Sequence, residues 1–539
     1  MQMSVDKDVS GYMKDLISKV QSWEKDMSAI FTDVETNVNI AEKKLGDLEQ
    51  LVQEYGKKIK KAKSSRHRQQ PPDISEDSKE STCDSHLVKN LQLIYHNMSP
   101  QLKLCLLSFA IFPKDSIIKK RSLIYWWIGE SLVSERQDKT AEQVGEEVYE
   151  KLIKQGLIEP DDNNPSPLMN RCKIHRCTHY MLTCLAREAG FFYFNSKDET
   201  SPEVLLKCPC SSSRLLLLDG ANSPPGGEPA EVEDRSTVFN VNQIILNLPP
   251  QWLLKMKKLT VLQLGRWMYS PNHHIEVDDQ RFLNDIGVHH RHLKFLSLRG
   301  ISRITSLPDS IVQLVSLEIL DLRACHNLEE LPEKIASLKK LTHLDVSECY
   351  LIERMPKETE KLSSLQVLKG FVIGTARNNP CKISDLGNLT KLRRLSIYIG
   401  RGAAINDMDF ASLKDVASLC SLTISWGVTS SALHAKGAVD WDFPQQLEKL
   451  ELIGMPEKRM PDLKNVRKLY IIGGKVASLD PLQQIESVEI LRLKHLKELR
   501  IGNTEEVLKK FPRLFYYESR NCADGNKLWY KGREINKGS

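Results

Sequence analysis

The feature that most constrains this fold is a Leu-x-x-Leu-x-Leu pattern that recurs through the C-terminal half of the chain. Copies begin at Leu293, Leu317 and Leu341, and a partial copy begins at Leu365, so these successive starts are each 24 residues apart. Further copies begin at Leu259, Leu392, Leu419, Leu447, Val466 and Val488. Aliphatic residues that recur at this period are typical of a solenoid, in which each repeat adds one short strand.

Two neighbouring copies identify the type of repeat. The stretches "SLPDSIVQLVSLEILDL" and "ELPEKIASLKKLTHLDV" are nearly superposable. In each copy a cysteine, Cys325 or Cys349, follows the last aliphatic residue by three positions, where this pattern carries Asn or Cys. The pattern is that of the leucine-rich repeat. We therefore predict a solenoid over residues 241–520, with the three aliphatic residues of each strand pointing into its core.

The residues between the aliphatic positions are expected to line the concave face of this solenoid. They combine both signs of charge with aromatic rings, which suits a protein partner better than a nucleic-acid backbone. A minority of such residues, below about 30%, is expected to carry binding energy, and the others to be solvated. The candidate partner-binding residues are Phe295, Arg299, Asp321, Arg323, His343, Asp345, Arg394, Tyr398, Tyr470 and Arg492.

The N-terminal segment 8–63 carries apolar residues at heptad spacing and contains no proline, which predicts a coiled-coil helix or helical hairpin. This element would either pack on its own protein or mediate association with itself or a partner. Seven Lys or Arg residues follow between Lys57 and Arg68. A basic helix end leading into a solvated linker over 64–85 explains them more simply than a nuclear-import or anion-binding patch.

The remaining boundaries come from changes in composition. Residues 86–200 have a compact helical pattern, whereas 201–240 contain a break dense in proline, glycine and acidic residues. Residues 521–539 are expected to be a C-terminal tail. The predicted architecture is multidomain, α and α/β. It comprises an N-terminal coiled-coil helix or hairpin, a helical domain over 86–200 and a C-terminal leucine-rich-repeat solenoid.

A search for catalytic and metal-binding motifs favours a protein that is not an enzyme. The sequence contains no Gly-x-x-x-x-Gly-Lys-Ser/Thr phosphate loop, no Gly-x-Gly-x-x-Gly and no His-Glu-x-x-His. The cluster Cys172, His175, Cys177 and His179 contains residue types that bind zinc. Its four side chains crowd into eight residues, whereas tetrahedral sites join two pairs from separate segments. We therefore predict no catalytic residue, no metal and no cofactor.

The location of the protein is inferred from what its N-terminus and apolar runs contain. The first ten residues, "MQMSVDKDVS", have no apolar core of a signal peptide. No run approaches the roughly 18 apolar residues of a spanning helix. The twelve cysteines are scattered, which suits free thiols in a reducing compartment. We expect a cytoplasmic or nuclear protein that is not in a membrane.

Residues 86–200 carry a series of short motifs rich in apolar residues. They comprise Pro100, Leu102, Cys105, Ile111, Phe112, Pro113, Leu123, Ile124, Trp127, Ile128, Gly156, Leu157 and Ile158. In this order they closely resemble the winged-helix domain of plant intracellular immune receptors, the coiled-coil nucleotide-binding leucine-rich-repeat disease-resistance family. The resemblance includes the stretch "LKGFVIG", 368–374, and covers 86–520 apart from the linkers. It predicts a winged helix over 86–200 and a partner that is a pathogen effector, a host kinase or a complete immune receptor.

The sequence departs from this family in the features that bind a nucleotide. In the family a nucleotide-binding P-loop domain separates the coiled coil from the winged helix, and here only about 25 linker residues separate them. The family motif Met-His-Asp reads Ile174-His175-Arg176, so His175 is a degenerate nucleotide-contact position. We therefore expect an adaptor, sensor or modulator that acts without a nucleotide switch.

Two alternatives use the same sequence features. The repeats alone would equally suit a general scaffold outside immunity. A winged helix can also bind nucleic acid, but that inference rests on fold analogy. The segment expected to read DNA, "LIYWWI" at 123–128, is apolar and follows only Lys119, Lys120 and Arg121, which argues against nucleic acid.

Overall fold

The computed structural model describes residues 85–534, so the predicted coiled coil over 8–63 lies outside the described residues. Contacts divide the chain into two compact units, 1–104 and 105–539. The gaps in the description are 114–115, 162–168, 196–212, 218–232, 247, 249–252, 268–273, 278–279, 375–378, 401–402, 404–408, 428–440, 457–460, 462, 464 and 480–484.

The described end of the first unit is helical. Helix α1 spans Ser85–His96, and helix α2 spans Pro100–Leu107. Proline suits the first position of a helix because its φ is already helical and that N–H has no partner within the helix. A 3-10 turn, Ser108–Ile111, continues α2 into the second unit, and Pro113 follows it.

The second unit begins with a winged helix, as predicted. Its sheet has the order β1-β3-β2, and both pairings are antiparallel. The elements are β1 (Ile118–Lys119), α3 (Lys120–Gly129), α4 (Ala141–Lys154), β2 (Glu159–Pro160), β3 (Arg171–Lys173) and α5 (Arg176–Glu188).

Local sequence explains where these helices begin and which faces they bury. Helix α4 begins after Thr140, which forms a capping box with Gln143 and so satisfies two backbone N–H groups of the first turn. On α3, Trp127 is fully buried, and its indole N–H donates to Ser108 Oγ at 2.9 Å. That bond satisfies the indole's one polar group, so the large ring can enter the core without a desolvation penalty.

The rest of the unit is a solenoid built on one 16-stranded sheet. Among the described residues its neighbouring strands run parallel, except the last two pairs, which are antiparallel. One register shift occurs, between Lys369 and Phe371. Its strands are β4 (Tyr193–Asn195), β5 (Arg214–Leu217), β6 (Thr237–Asn240), β8 (Val261–Gln263), β10 (Phe295–Ser297), β11 (Ile319–Asp321), β12 (His343–Asp345), β13 (Val367–Ile373), β14 (Arg394–Ile399), β15 (Ser421–Trp426), β16 (Lys449–Met455), β17 (Lys468–Gly474), β18 (Ile490–Lys494), β19 (Tyr516–Arg520), β20 (Lys527–Tyr530) and β21 (Arg533–Glu534).

Shorter elements complete each turn of the solenoid. A two-stranded pair, β7 (Ile245–Leu246) and β9 (Glu276–Val277), lies outside the long sheet. The helices are α6 (Arg281–His289) and α7 (Thr504–Lys510). The 3-10 turns are Leu253–Lys255, Asp309–Gln313, Ile335–Ser337, Lys357–Lys361, Ser384–Asn388 and Ala411–Asp415.

The aliphatic positions of the repeat form one continuous core, as the pattern predicts. The register aligns Leu296, Leu320, Leu344 and Leu368 in successive strands, and all four side chains are fully buried. Cys325 is buried in the same core, and its Sγ lies 3.2 Å from the carbonyl of Leu298 in the preceding repeat. Each repeat thus buries its apolar side against its neighbours and could not do so alone.

The sheet extends beyond the boundaries predicted for the solenoid. The predicted linker 201–240 contains β5 and β6, and β4 lies within the region assigned to the winged helix. The predicted tail 521–539 contains β20 and β21. These strands bury apolar side chains such as Leu215 and Val238, but they lack the complete Leu-x-x-Leu-x-Leu spacing on which the sequence prediction relied.

His290 gives the solenoid a predicted sensitivity to acid. This residue follows α6 and is buried, and burial, together with the nearby His289, lowers its pKa to about 4. Because the pKa of the unfolded state is near 6.5, stability is full above that pH and falls as the pH drops towards 4. We expect His290→Leu to remove on the order of 2 kcal/mol of this loss. Urea unfolding of the wild-type and variant proteins at pH 7 and pH 4.5 measures it.

His292→Leu is the matched control, because His292 is two residues away, exposed and not among the groups that shift the pKa of His290. At pH 7 both variants are expected to lie within about 1 kcal/mol of the wild-type protein. An equal loss on acidification for His290→Leu and wild type would contradict the assignment.

Candidate functional site: the concave face

The concave face is organised as rows of side chains that run across the strands. The pairing of β10 to β14 aligns Phe295, Ile319, His343, Val367 and Arg394 in one row. Side chains one position apart point to opposite faces, so this row faces away from the aliphatic core. We call this row, from Phe295 to Arg394, the ladder; the register of the core leucines fixes its positions.

Helix α3 of the winged helix lies across the first strands of this face. At its C-terminal end Glu130 pairs with Arg214 of β5 at 2.8 Å, with side-chain exposures of 3% and 6%. The same carboxylate accepts hydrogen bonds from Thr237 Oγ1 at 3.0 Å and from Trp126 Nε1 at 2.9 Å. Burial of a carboxylate avoids a large desolvation penalty when an opposite charge pairs with it and hydrogen-bond donors contact its oxygens, as they do here.

Aromatic rings pack beside this ion pair. The ring of Trp126 lies 4.7 Å from that of Phe239 on β6, and Phe112 stacks on Trp267 at 5.0 Å. A little further along the face, Gly129 approaches Phe295 so closely that an added Cβ would lie 2.6 Å from the Phe295 Cβ. The winged helix is therefore seated on the solenoid by a buried aromatic contact beside the ion pair of Glu130 and Arg214.

Further along α3, a second polar cluster joins α4 to the ladder. The ring of Tyr125 packs against His343 at 4.6 Å, and Arg394 donates to Tyr125 Oη at 3.2 Å. Glu142 forms an ion pair with Arg394 and lies 3.9 Å from His343 Nε2. Although burial acts to raise it, the pKa of Glu142 is held well below its usual range by the charge of Arg394 and then by His343.

A chain of alternating charges occupies the neighbouring repeats. Asp345 pairs with Lys369 at 3.0 Å, and Arg323 pairs with Glu348. Burial favours a raised pKa for Asp345, but Lys369 and then Arg323 lower it to about 2. Burial and the charge of Asp345 raise the pKa of Asp321. Asp321, Arg323, Asp345 and Lys369, together with Arg299, line a cavity of about 190 Å³ beneath the winged helix.

A larger cavity of about 740 Å³ lies between the winged helix and strands β13 to β18. On its solenoid side Lys449 pairs with Glu451 at 2.7 Å and lies 4.7 Å above the ring of Tyr470. Arg492 lies on β18, the strand on the other side of Tyr470, and is 5.0 Å from the same ring. This part of the concave face is polar, cationic and aromatic.

The structure divides the predicted partner-binding residues into two groups. One group faces the winged helix: Phe295, Arg299, Asp321, Arg323, His343, Asp345 and Arg394. Tyr398 is half-buried and contacts Tyr350 at 5.9 Å, while Tyr470 and Arg492 line the larger cavity. His175, the degenerate nucleotide-contact position, is the exposed N-cap of α5 and accepts a hydrogen bond from Cys177 N–H at 3.2 Å.

Sequence reasoning missed the residues of the winged helix that meet the ladder, Tyr125 and Glu142, because no repeat pattern signals where one domain docks on another. It also missed Glu518, a carboxylate on β19 that pairs with Arg492 at 3.3 Å and with Arg520. A signal for β19 was present. Leu514, Tyr517 and Ser519 repeat the spacing of the motif with a polar last residue.

Neither a metal site nor a membrane span is found in the described part of the chain. Those residues contain no group of three or more His, Cys, Asp or Glu side chains that could hold a metal ion. Burial raises the pKa of Cys172, a member of the cluster weighed as a zinc site, to about 12. None of the described helices is long and apolar enough to cross a membrane.

Gly129→Ala tests the seat of the winged helix. Alanine gains up to about 1 kcal/mol of helix propensity over glycine. Overpacking against the Cβ of Phe295 costs about 1–3 kcal/mol, so the clash should prevail. We expect faster hydrogen exchange of the α3 amides in this variant.

Gly400→Ala is the control, because an added Cβ there would meet its nearest atom at 3.4 Å, an ordinary contact. Unchanged α3 exchange in Gly129→Ala, or an equal change in both variants, would show that the winged helix does not rest on Phe295.

Comparison with known proteins agrees with this architecture. Residues 235–519, more than half of the chain, match the family model described as "Leucine-rich repeat region". Residues 111–182 match that described as "Disease resistance protein Winged helix domain". The two matches correspond to the solenoid and to the domain seated on it.

Curated relatives come from plants. The chain is 29% identical over 397 residues to disease resistance RPP13-like protein 4 of Arabidopsis thaliana, covering 72% of this chain and 43% of that protein. It is 25% identical over 233 residues to disease resistance protein PIK6-NP of Oryza sativa subsp. japonica, covering 42% of this chain and 20% of that protein. The chain thus spans less than half the length of these relatives. With both family matches, these similarities show that the chain belongs to the leucine-rich-repeat disease resistance proteins of plants.

Proposed function

We propose that this plant defence protein recognises a protein partner through the C-terminal part of its concave face, formed by strands β14 to β19. It would act as an adaptor, sensor or modulator and not as an enzyme. The observation that carries the proposal is the division of the face. The winged helix covers the ladder from Phe295 to Arg394, whereas Thr423, Glu451 and Arg492 lie on the strands beyond it.

The chemistry of these strands supports a protein partner. Their concave rows carry Lys, Glu, Arg, Thr and Tyr, and tyrosine and arginine are enriched among residues that dominate binding energy at protein interfaces. The predicted partners are a pathogen effector, a host kinase or a complete immune receptor, met in the cytoplasm or nucleus. Self-association through segment 8–63 remains part of the proposal.

The winged helix contributes by docking rather than by reading nucleic acid. Helix α3, the segment expected to enter a DNA groove, buries Leu123, Trp126 and Trp127 in the folded unit. Its end is held on the solenoid by the ion pair between Glu130 and Arg214. A recognition helix must be free to enter a groove, so this arrangement favours the protein-binding function.

Proximity labelling in plant cells tests the proposal. The variant Ser396→Arg/Thr423→Arg places two large side chains on small concave positions of β14 and β15 and leaves the core leucines intact. We expect immune receptors, kinases or a pathogen effector to be labelled by the wild-type protein, and at least tenfold less by the variant. The control Ser337→Arg/Ser363→Arg adds the same residues at exposed positions outside the sheet.

Each other outcome has a definite meaning. Equal labelling by the wild-type protein and the concave variant would contradict recognition through this face. Recovery of machinery unrelated to defence would favour the general scaffold. Calorimetry with ATP and ADP checks the expectation that this chain acts without a nucleotide switch, and micromolar binding of either nucleotide would overturn it.

A further inference from the structure

The larger cavity carries an excess of positive charge. It is bounded by β1, β3, the start of α3 and α4 on one side and by strands β13 to β18 on the other. Ten of its lining residues are Lys or Arg and five are Glu, so these side chains sum to a formal charge of +5. A cleft lined predominantly by one sign of charge concentrates ligands of the opposite sign.

The five glutamates leave the cations of the cavity in excess. Glu142 is paired with Arg394 and lies 4.0 Å from Arg121, Glu451 is paired with Lys449 at 2.7 Å, and Glu146 is paired with Lys120 at 3.5 Å. The surplus cations include Lys468 and Lys494 on adjacent strands. Lys494 lies 3.8 Å from Glu518, but that carboxylate also pairs with Arg492 and Arg520, so three cations share one negative charge.

One buried hydrogen-bond donor of the lining also lacks an acceptor among the described residues. The hydroxyl of Tyr470, a residue with only 5% exposure, has no hydrogen-bond partner. A buried polar group left without a partner costs about 1–3 kcal/mol, so an incoming acceptor would gain from satisfying it. Arg492 lies beside the Tyr470 ring and is ion-paired with Glu518 at 3.3 Å, a carboxylate that it would share with an incoming ligand.

These donors are held in place before any ligand arrives. Lys449, Tyr470, Arg492 and Tyr516 form a stack of alternating cations and rings, with separations of 4.7, 5.0 and 5.4 Å. Tyr516 in turn donates to Glu518 at 3.1 Å. Fixed donors lose little freedom on binding, and this lowers the cost of forming a complex.

We infer that this cavity receives an acidic segment of the protein partner, whose carboxylates accept hydrogen bonds from Tyr470 and Arg492 and pair with Lys468 and Lys494. The inference rests on the proposed function and names the chemistry of the partner. Glutamates of this protein stand among the cations that line the cavity. A peptide whose carboxylates are spaced along its backbone therefore fits better than a compact polyphosphate. The cavity volume, about 740 Å³, is large enough for several side chains.

Fluorescence polarisation with the purified full chain tests this inference. The probe is a fluorescein-labelled decapeptide of alternating Glu and Ser, and the same peptide with Gln for Glu is its neutral counterpart. The variant Lys468→Glu/Lys494→Glu reverses two cations of the cavity. We expect it to weaken binding of the acidic peptide at least tenfold at 0.15 M salt, where the Debye length is about 8 Å.

The control Lys339→Glu/Lys340→Glu makes the same change of net charge at exposed positions outside the cavity, and should change binding less than twofold. Tyr470→Phe removes the unpartnered hydroxyl without altering charge. It should weaken binding about fivefold, as expected for one lost hydrogen bond of about 1 kcal/mol. A purely long-range effect of net charge would leave Tyr470→Phe unchanged.

Four results would overturn the inference. They are an equal loss in the two double variants, equal binding of the neutral peptide, no binding of the acidic peptide at millimolar concentration, and tighter binding of sodium tripolyphosphate than of the peptide. Proximity labelling that still depends on Ser396 and Thr423 would then show that the proposed function stands without this partner chemistry.

Discussion

The arrangement of the second unit depends on the buried ion pair between Glu130 and Arg214. Taking both charges out of water is costly, and the pair is stable here because Trp126 and Thr237 also donate to the carboxylate. Such a pair tolerates little displacement, since removing one partner leaves an unpaired charge in a dry contact. It therefore fixes where α3 crosses the solenoid, and with it which strands of the concave face are covered.

That placement gives the concave face two roles. From Phe295 to Arg394 the ladder is part of an intramolecular contact. Glu142 pairs with Arg394 and lies close to His343, and the ring of Tyr125 packs against that of His343. From β15 onward the same rows line a cavity and carry the cation–aromatic stack around Tyr470. The same repeat architecture thus serves both docking of the winged helix and the proposed recognition of a partner. The side chains between the leucines determine which of these two roles a given strand has.

The sequence predicted the solenoid because the spacing of its aliphatic residues sets it, and the winged helix because residues 86–200 resemble that domain of a known family. The leucines at 293, 317 and 341 lie in one core, as expected. Strands β5, β6 and β19 were not predicted, because they contribute buried side chains to the core but do not carry the complete Leu-x-x-Leu-x-Leu pattern. The seat of the winged helix could not be predicted, because the contact between Gly129 and Phe295 joins positions that no repeat relates.

A double-mutant cycle on Glu130 and Arg214 tests this account most directly. Glu130→Gln, Arg214→Met and the double variant would be compared through the opening free energy of α3, measured by hydrogen exchange. Each single change should cost about 3–5 kcal/mol, and the pair should show a coupling of about 2 kcal/mol or more. Costs that add to within about 0.5 kcal/mol would contradict the claim that this ion pair seats the winged helix on the concave face.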